Sequence, residues 1–320
     1  MIMYIIAVAC LLIVSWLLEL VLRIPKVPNL SSKYVLITGC DSGFGNQLAI
    51  QLDGKGIHVI AACLMEEASK KLKMSLSQRS STIVMDVTDH GSVQQAMHDV
   101  QEIIPESKGL WGLVNNAGIG GCLGAMDWWS REEYKKVLDV NLFGLIDVTK
   151  VFTPLLKQGK GRIVNVASVL GRVVGLVPEA GYCISKFGVE CFSDEIRVLL
   201  KAFGISVSII EPGFFKTAIC NPENILPKLK ERWKDLGQEI HEEYGGEETM
   251  KEKMNSAKDF LIKAPSTRTE KVVDAMEHAL TAKYPKKRYS VGLDAKLLWI
   301  PLSYMPAFIT YAFLGRALKC

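Results

Sequence analysis

The sequence has no Cys-x-x-Cys pair, no His-Glu-x-x-His and no Gly-x-Ser-x-Gly. Its eight cysteines, at 10, 40, 63, 122, 183, 191, 220 and 320, are too sparse in 320 residues for a disulfide scaffold. Without paired spacing they offer no zinc knuckle either, and they read as reduced thiols. The five histidines, at 58, 90, 98, 241 and 278, lie far apart. Metal hydrolysis and serine acyl transfer therefore lose their usual residues, and no metal is expected. Neither sign of charge dominates, since 38 basic side chains against 34 acidic ones leave only +4. A broad basic face for nucleic acid is missing, so no nucleic-acid partner is expected. No internal repeat or low-complexity linker breaks the chain, which argues for one main domain.

Apolar residues are plentiful. They make up 49% of the chain, and the mean hydropathy of +0.18 is high for a soluble protein of this size. That excludes disorder, and the excess is concentrated at the two ends. Met1 to Leu18 carries no charge, the first charged side chains being Glu19, Arg23 and Lys26. Since about 20 apolar residues span a bilayer, residues 1–22 are expected to anchor the chain, with 23–32 as a linker. A cleaved signal peptide is the competing reading, but no basic residue precedes the run and no small-x-small site follows it. Leu297 to Leu314 is a second uncharged run, interrupted by Pro301 and Pro306. An interfacial or re-entrant segment over 297–320 and a buried C-terminal helix are both open readings. Just before it, Lys283, Lys286, Lys287, Arg288 and Lys296 face only Asp294, a basic cluster suited to an anionic lipid surface or to a solvated helix end.

Between the ends, short β-branched runs alternate with amphipathic stretches. Tyr34–Thr38, His58–Ala62, Thr82–Met85, Gly112–Val114, Arg162–Val166 and Ser206–Ile210 read as buried parallel strands. Asn46–Asp53, Ser92–Ile104, Glu132–Thr149 and Tyr182–Phe203 read as helices. The fold class is therefore α/β, a doubly wound parallel sheet of Rossmann type with about seven strands and helices on both faces. Residues 33–296 form this domain. Within it, 214–263 loses the β-α rhythm, and two amphipathic helices there form either a lid over the carboxyl edge of the sheet or an ordinary solvated hairpin.

The first strand runs into Thr38-Gly39-Cys40-Asp41-Ser42-Gly43-Phe44-Gly45 and then a helix. Gly39 permits a tight turn, Gly43 lets a pyrophosphate approach the backbone, and Gly45 lets the helix pack on the strand. The helix amino terminus would face the phosphates. The spacing is GxxxGxG, and with it the chain resembles the short-chain dehydrogenase/reductase family. Further marks follow in order: Asp86-Val87 after the third strand, Asn115-Asn116-Ala117-Gly118 after the fourth, and Asn141 within Val140-Asn141-Leu142-Phe143-Gly144. Ser168 follows the fifth strand, Tyr182-Cys183-Ile184-Ser185-Lys186 matches YxxxK, and Pro212-Gly213-Phe214-Phe215-Lys216-Thr217 resembles PGxxxT. The resemblance covers about 33 to 295.

The resemblance implies hydride transfer between an alcohol carbon and a nicotinamide cofactor, with Tyr182, Lys186, Ser168 and Asn141 as the catalytic set. Tyr182 and Lys186, four apart, share a helix face, and an ammonium near a phenol favours the phenolate. Ser168 would hold the substrate oxygen, and Asn141 would bend its helix to seat a water linking Lys186 to solvent. Gly39, Asp41, Ser42, Gly43, Phe44, Gly45, Cys63, Asp86, Val87, Asn115, Ala117, Gly118, Pro212, Gly213 and Thr217 are the cofactor positions it implies, beside Tyr182 and Lys186. The end of the second strand, Cys63-Leu64, carries neither an acid nor a base. Asp41 would repel a 2′-phosphate, whereas Lys70 and Lys71 sit further along, so NAD is expected over NADP.

Ile37 to Asn46, Gly109 to Gly118 and Ile209 to Gly213 resemble most closely the membrane-bound retinol dehydrogenase and 17-beta-hydroxysteroid dehydrogenase type 6 group. That implies a lipophilic retinoid or steroid substrate, contact with membrane lipid, and an endoplasmic reticulum or microsomal location; a homodimer is also open. The side of the membrane is set only weakly by Arg23 and Lys26. One departure stands out: between Ser168 and Tyr182 the chain reads Pro178-Glu179-Ala180 where relatives tend to be glycine-rich, which touches substrate specificity. The alternative reading is a membrane-tethered dinucleotide-binding protein without turnover, acting through partners.

Overall fold

The computed structural model describes residues 21–174 and 179–318, with positions 4, 6, 10, 11, 14, 18 and 19 before them. The strands are β1 (Tyr34–Thr38), β2 (His58–Cys63), β3 (Ser81–Val84), β4 (Gly112–Asn115), β5 (Cys122–Leu123), β6 (Arg162–Val166), β7 (Glu179–Ala180), β8 (Ser206–Pro212) and β9 (Arg288–Val291). Seven of them form one parallel sheet in the order β3-β2-β1-β4-β6-β8-β9, and β5 pairs antiparallel with β7. The chain therefore builds outward from β1 in one direction, then returns to β4 and builds the other way. The crevice beyond the carboxyl ends of β1 and β4 is the switch point where such sheets bind ligands.

The helices are α1 (Gly43–Gly54), α2 (Glu66–Lys73), α3 (His90–Ile103), α4 (Arg131–Leu138), α5 (Leu145–Gly159), α6 (Tyr182–Leu199), α7 (Pro222–Asp235), α8 (Gln238–Glu243), α9 (Gly246–Lys263), α10 (Glu270–Thr281), α11 (Ile300–Ser303) and α12 (Ala307–Leu318). Alternation along β1 distributes its side chains to two cores. Val35 and Ile37 meet Leu48, Leu52, Val272 and Met276 of α1 and α10; Tyr34 and Leu36 meet Val93, Val100, Phe152 and Leu156 of α3 and α5. Both faces are thus covered, which is why the strands read as unbroken β-branched runs.

The stretch 214–263 holds three helices rather than two. Gly237 and Gly245 interrupt the amphipathic pattern, and the short α8 lies between them. Leu229, Trp233 and Met250 pack on Leu123 and Trp128, so the helices lean on the segment after β4. At the carboxyl end, Trp299, Leu302 and Leu314 bury against Val169, Leu170, Val173 and Tyr182. Arg172 also fastens this segment, donating to Tyr304 Oη at 2.8 Å and to Glu211 at 2.9 Å. Leu297, Tyr304, Phe308 and Tyr311 on the same segment are exposed. One side of it therefore joins the core, and the other presents apolar surface. Among the described residues no helix is long and apolar enough to cross a membrane; most of the expected anchor, residues 1–22, lies outside them.

Residues after that stretch are pinned to the domain. Val27 N donates to Thr281 O at 2.8 Å, Lys283 N to Pro25 O at 2.6 Å, and Arg23 Nη1 to Tyr284 O at 3.3 Å. Glu277 of α10 collects Lys26, Lys55 and Gln51. Burial opposes its ionised form, but these donors outweigh it and hold the carboxyl below the ordinary glutamate value. A lowered carboxyl adds stability above its unfolded value and loses it as pH falls through the folded one. Glu277→Gln is expected to lower stability by about 1 kcal/mol at pH 7, the two lysines being solvent-screened. Near pH 3 the difference should close, as thermal unfolding at the two pH values would show.

Candidate active site

Local hydrogen bonds fasten the glycine loop to the turn after β4. Thr38 Oγ1 accepts from the Asn116 and Ala117 amides, each at 3.0 Å, and Asn116 Nδ2 donates to Thr38 O at 2.9 Å and Gly39 O at 3.0 Å. A Cβ on Gly45 would lie 2.5 Å from Asn116 Nδ2 and 2.7 Å from Gly39 O. Gly45 therefore closes the first turn of α1 onto the loop and Asn116, rather than packing helix on strand. Gly43 differs: its φ is +64°, and a Cβ there would meet nothing within 4 Å. Ser42 places no side-chain cap on α1, so its leading amides remain available to an anion. These features fit a dinucleotide pyrophosphate.

From the loop a cleft of about 430 Å³ runs along the sheet edge to α6. It brings together Gly39, Asp41, Ser42, Gly43 and Phe44 with Asp86 and Val87, then Ala117 and Gly118, and on the opposite wall Ser168, Tyr182, Lys186, Pro212, Gly213 and Thr217. Gly45 and Asn141 stand behind its wall. Cys63 does not reach it: the side chain is fully buried against Ile37, and Leu64 and Met65 face the cleft instead. Asn115 is also turned away, donating to Thr149 Oγ1 at 2.9 Å and Asn165 Oδ1 at 2.8 Å beneath the sheet end. The neighbouring Asn116 lines the cleft. Successive strand residues point to opposite faces, so only one of an Asn-Asn pair can do so.

Asp41 spans from the glycine loop to the end of β2, where its carboxylate accepts from Leu64 N at 3.0 Å and Met65 N at 2.9 Å. A negative charge thus occupies the β2 end although that strand supplies no acid. The residue type alone puts the charge in the loop, and only the fold gives it this reach.

Tyr182 opens α6, and Lys186 follows one turn later on the same face, with Nζ 5.6 Å from the Tyr182 ring centroid. Lys186 Nζ donates to Val166 O at 2.9 Å, at the end of β6. Burial brings its ammonium down to about 8, so it is still mostly charged at neutral pH. Burial, then the Glu179 carboxyl and the Cys220 thiol, push the Tyr182 hydroxyl above its ordinary range, against a hydrogen bond from Ser168. In the protein alone desolvation and the neighbouring carboxyl outweigh any lowering that the Lys186 charge brings.

Asn141 sits where the helix from α4 to α5 widens into a π turn, Asp139–Gly144. Its amide is tied to both backbone groups of Ile119, at 2.8 and 2.9 Å, and donates to Ser185 Oγ at 3.1 Å. The bend expected there is present, and these bonds set the turn that carries Gly118 beside Lys186. Ser168 accepts from Leu170 N at 3.1 Å, which fixes its hydroxyl next to Tyr182. Ile119, Ile219 and Cys220 also line the cleft and lie outside every motif, while Val140 and Phe215 line it from unspecified positions within theirs.

A parallel sheet with a glycine loop at its switch point, facing one continuous cleft, defines a dinucleotide-dependent α/β oxidoreductase. The chain belongs to the short chain dehydrogenase family, which residues 33–225 match. It is 46% identical over 286 residues to retinol dehydrogenase 7 of Rattus norvegicus, covering 89% of each chain. Against 17-beta-hydroxysteroid dehydrogenase type 6 of Homo sapiens it is 45% identical over 291 residues, covering 91% of this chain and 90% of the relative. A solved short-chain dehydrogenase from Streptomyces avermitilis superposes with a TM-score of 0.67 at 25% identity, over 89% of this chain and 97% of that one. The protein is an oxidoreductase that works with a nicotinamide dinucleotide.

Proposed function

We propose that the protein interconverts a lipophilic alcohol and its carbonyl, a retinoid or a hydroxysteroid, with NAD as cofactor. The observation that carries this is the convergence of Ser168, Tyr182 and Lys186 on the wall of the cleft whose far end is the glycine loop. The dinucleotide, when bound, supplies the hydride acceptor or donor. Ser168 holds the substrate oxygen by a hydrogen bond, and Tyr182 Oη takes the alcohol proton in oxidation or returns it in reduction. Lys186, charged and anchored on Val166 O, stabilises the phenolate that proton transfer requires. Asn141 keeps the Ile119 turn and the Ser185 face of α6 in register with them.

The lipophilic character rests on the two named relatives and on the apolar lining that Ile119, Ile219 and Phe215 give the cleft. Residues 1–22 act as an anchor, 33–296 as the catalytic domain, 214–263 as a lid and 297–320 as a membrane-associated segment. The exposed Leu297, Phe308 and Tyr311 support the last of these. An endoplasmic reticulum membrane suits a substrate that partitions into lipid. Protease protection in sealed microsomes tests this placement and decides which side carries the catalytic domain.

Asp41 supports NAD, since its carboxylate at the end of β2 would repel a 2′-phosphate brought there, and Lys70, further along, is paired with Glu66 at 2.7 Å. Asp41→Ser is expected to shift the NAD to NADP ratio of kcat/KM about tenfold towards NADP, the scale of one like-charge contact. A panel of retinols and 3α-, 3β- and 17β-hydroxysteroids with each cofactor tests the whole reading. Absence of turnover on every alcohol, or a large NADP preference in the wild type, would overturn it.

A further inference from the structure

Glu179 touches the chemistry above only through its charge, which raises the Tyr182 hydroxyl. Pairing of β7 with β5 sets it opposite Leu123, three residues before Tyr182. There it lines a small side cavity of about 20 Å³, room for a single water-sized group, walled by Leu123, Phe214 and Leu261 and by Ile225 and Phe260 of the helices over 222–263. Ile219 and Cys220 belong to both this cavity and the main cleft, so the two adjoin on the substrate side, away from the glycine loop. Among the described residues of this lining, Glu179 alone carries a carboxyl or an ammonium group. The Gly121 amide supplies one hydrogen bond to it, and a carboxyl has room for several.

We propose that Glu179 forms a polar subsite that hydrogen-bonds a second oxygen, hydroxyl or carbonyl, on a lipophilic substrate whose first oxygen lies at Tyr182. The inference rests on the dehydrogenase reading and narrows it towards rigid alcohols oxygenated at both ends. A carboxyl among apolar walls is left partly unsatisfied by a hydrocarbon tail, and sites built to pair with a hydroxyl discriminate against analogues that lack it. Burial also pushes the Glu179 carboxyl up to about 7. Near neutral pH it is therefore present both as a donor, for a carbonyl, and as an acceptor, for a hydroxyl.

The test uses a matched pair, 5α-androstan-3α-ol and 5α-androstane-3α,17β-diol, which share a carbon skeleton and differ by one hydroxyl. The full chain in membranes is expected to favour the diol about 10- to 100-fold in kcat/KM, mainly through KM. Glu179→Leu should bring that ratio close to one, and Glu179→Gln should retain part of it. A purely structural role would move both substrates together and leave the ratio unchanged. That result, or a wild-type ratio near one, overturns the subsite. If the wild type oxidises neither alcohol, the dehydrogenase reading fails separately. Diol binding to the NAD-loaded protein, followed by tryptophan fluorescence, then decides the subsite: weakening by Glu179→Leu upholds it, and equal affinity overturns it.

Discussion

Tyr182→Phe is expected to lower kcat by about 10³-fold, within the span of a positioned acid/base group, while dinucleotide binding stays near the wild-type value. The aromatic ring is packed among Val137, Val169 and Trp299, and phenylalanine preserves that packing. Only the hydroxyl is lost, and Ser168 keeps its bond to the Leu170 amide. The defect should therefore appear in turnover and not in stability. Single-turnover measurements beside fluorescence titration of the dinucleotide separate the two, and near-normal turnover with cofactor bound would remove Tyr182 from its role.

The glycine loop supports a second large effect, because Gly43 and Gly45 fail in different ways. Gly43→Ala adds a methyl group where the protein itself offers no obstacle but the cleft is open, at φ +64°. Left-handed strain of about 1–2 kcal/mol is tolerable for folding. Loss of close backbone approach is expected to weaken dinucleotide binding about 100-fold, or roughly 2.7 kcal/mol. Gly45→Ala instead drives a methyl group into Asn116 and the Gly39 carbonyl, an overpacking cost of about 1–3 kcal/mol that should appear in unfolding without any ligand. Equal affinity for both variants, or equal thermal stability, would contradict this division.

Most of the sheet was legible, because strands buried on both faces advertise themselves as β-branched runs between glycines. The Tyr182 to Lys186 spacing was legible too, since four residues return to one helix face. What escaped notice depends on which way a side chain points. Cys63 ends a strand with no polar alternation, so its sequence carries no sign that it faces the core while Leu64 and Met65 face the cleft. Nothing in the sequence sets Asn116 apart from Asn115, for the same reason. Asp41 was read from its charge alone, its reach to the Leu64 and Met65 amides being a contact 23 and 24 residues away in the chain. The influence of Glu179 on Tyr182 also needs three dimensions, although the departure Pro178-Glu179-Ala180 had marked that stretch.

The pinning of residues 23–28 onto 277–284 removes slack. A free ten-residue tether would let its two ends wander apart by about 17 Å on random-coil scaling. Here Pro25 and Val27 are bonded to the backbone of Lys283 and Thr281 and Arg23 to Tyr284 O, so from Arg23 onward the chain is held at a fixed point. A pull on the chain at Arg23 is then passed straight to α10 and the segment after it, as a bracket passes it and a cord does not.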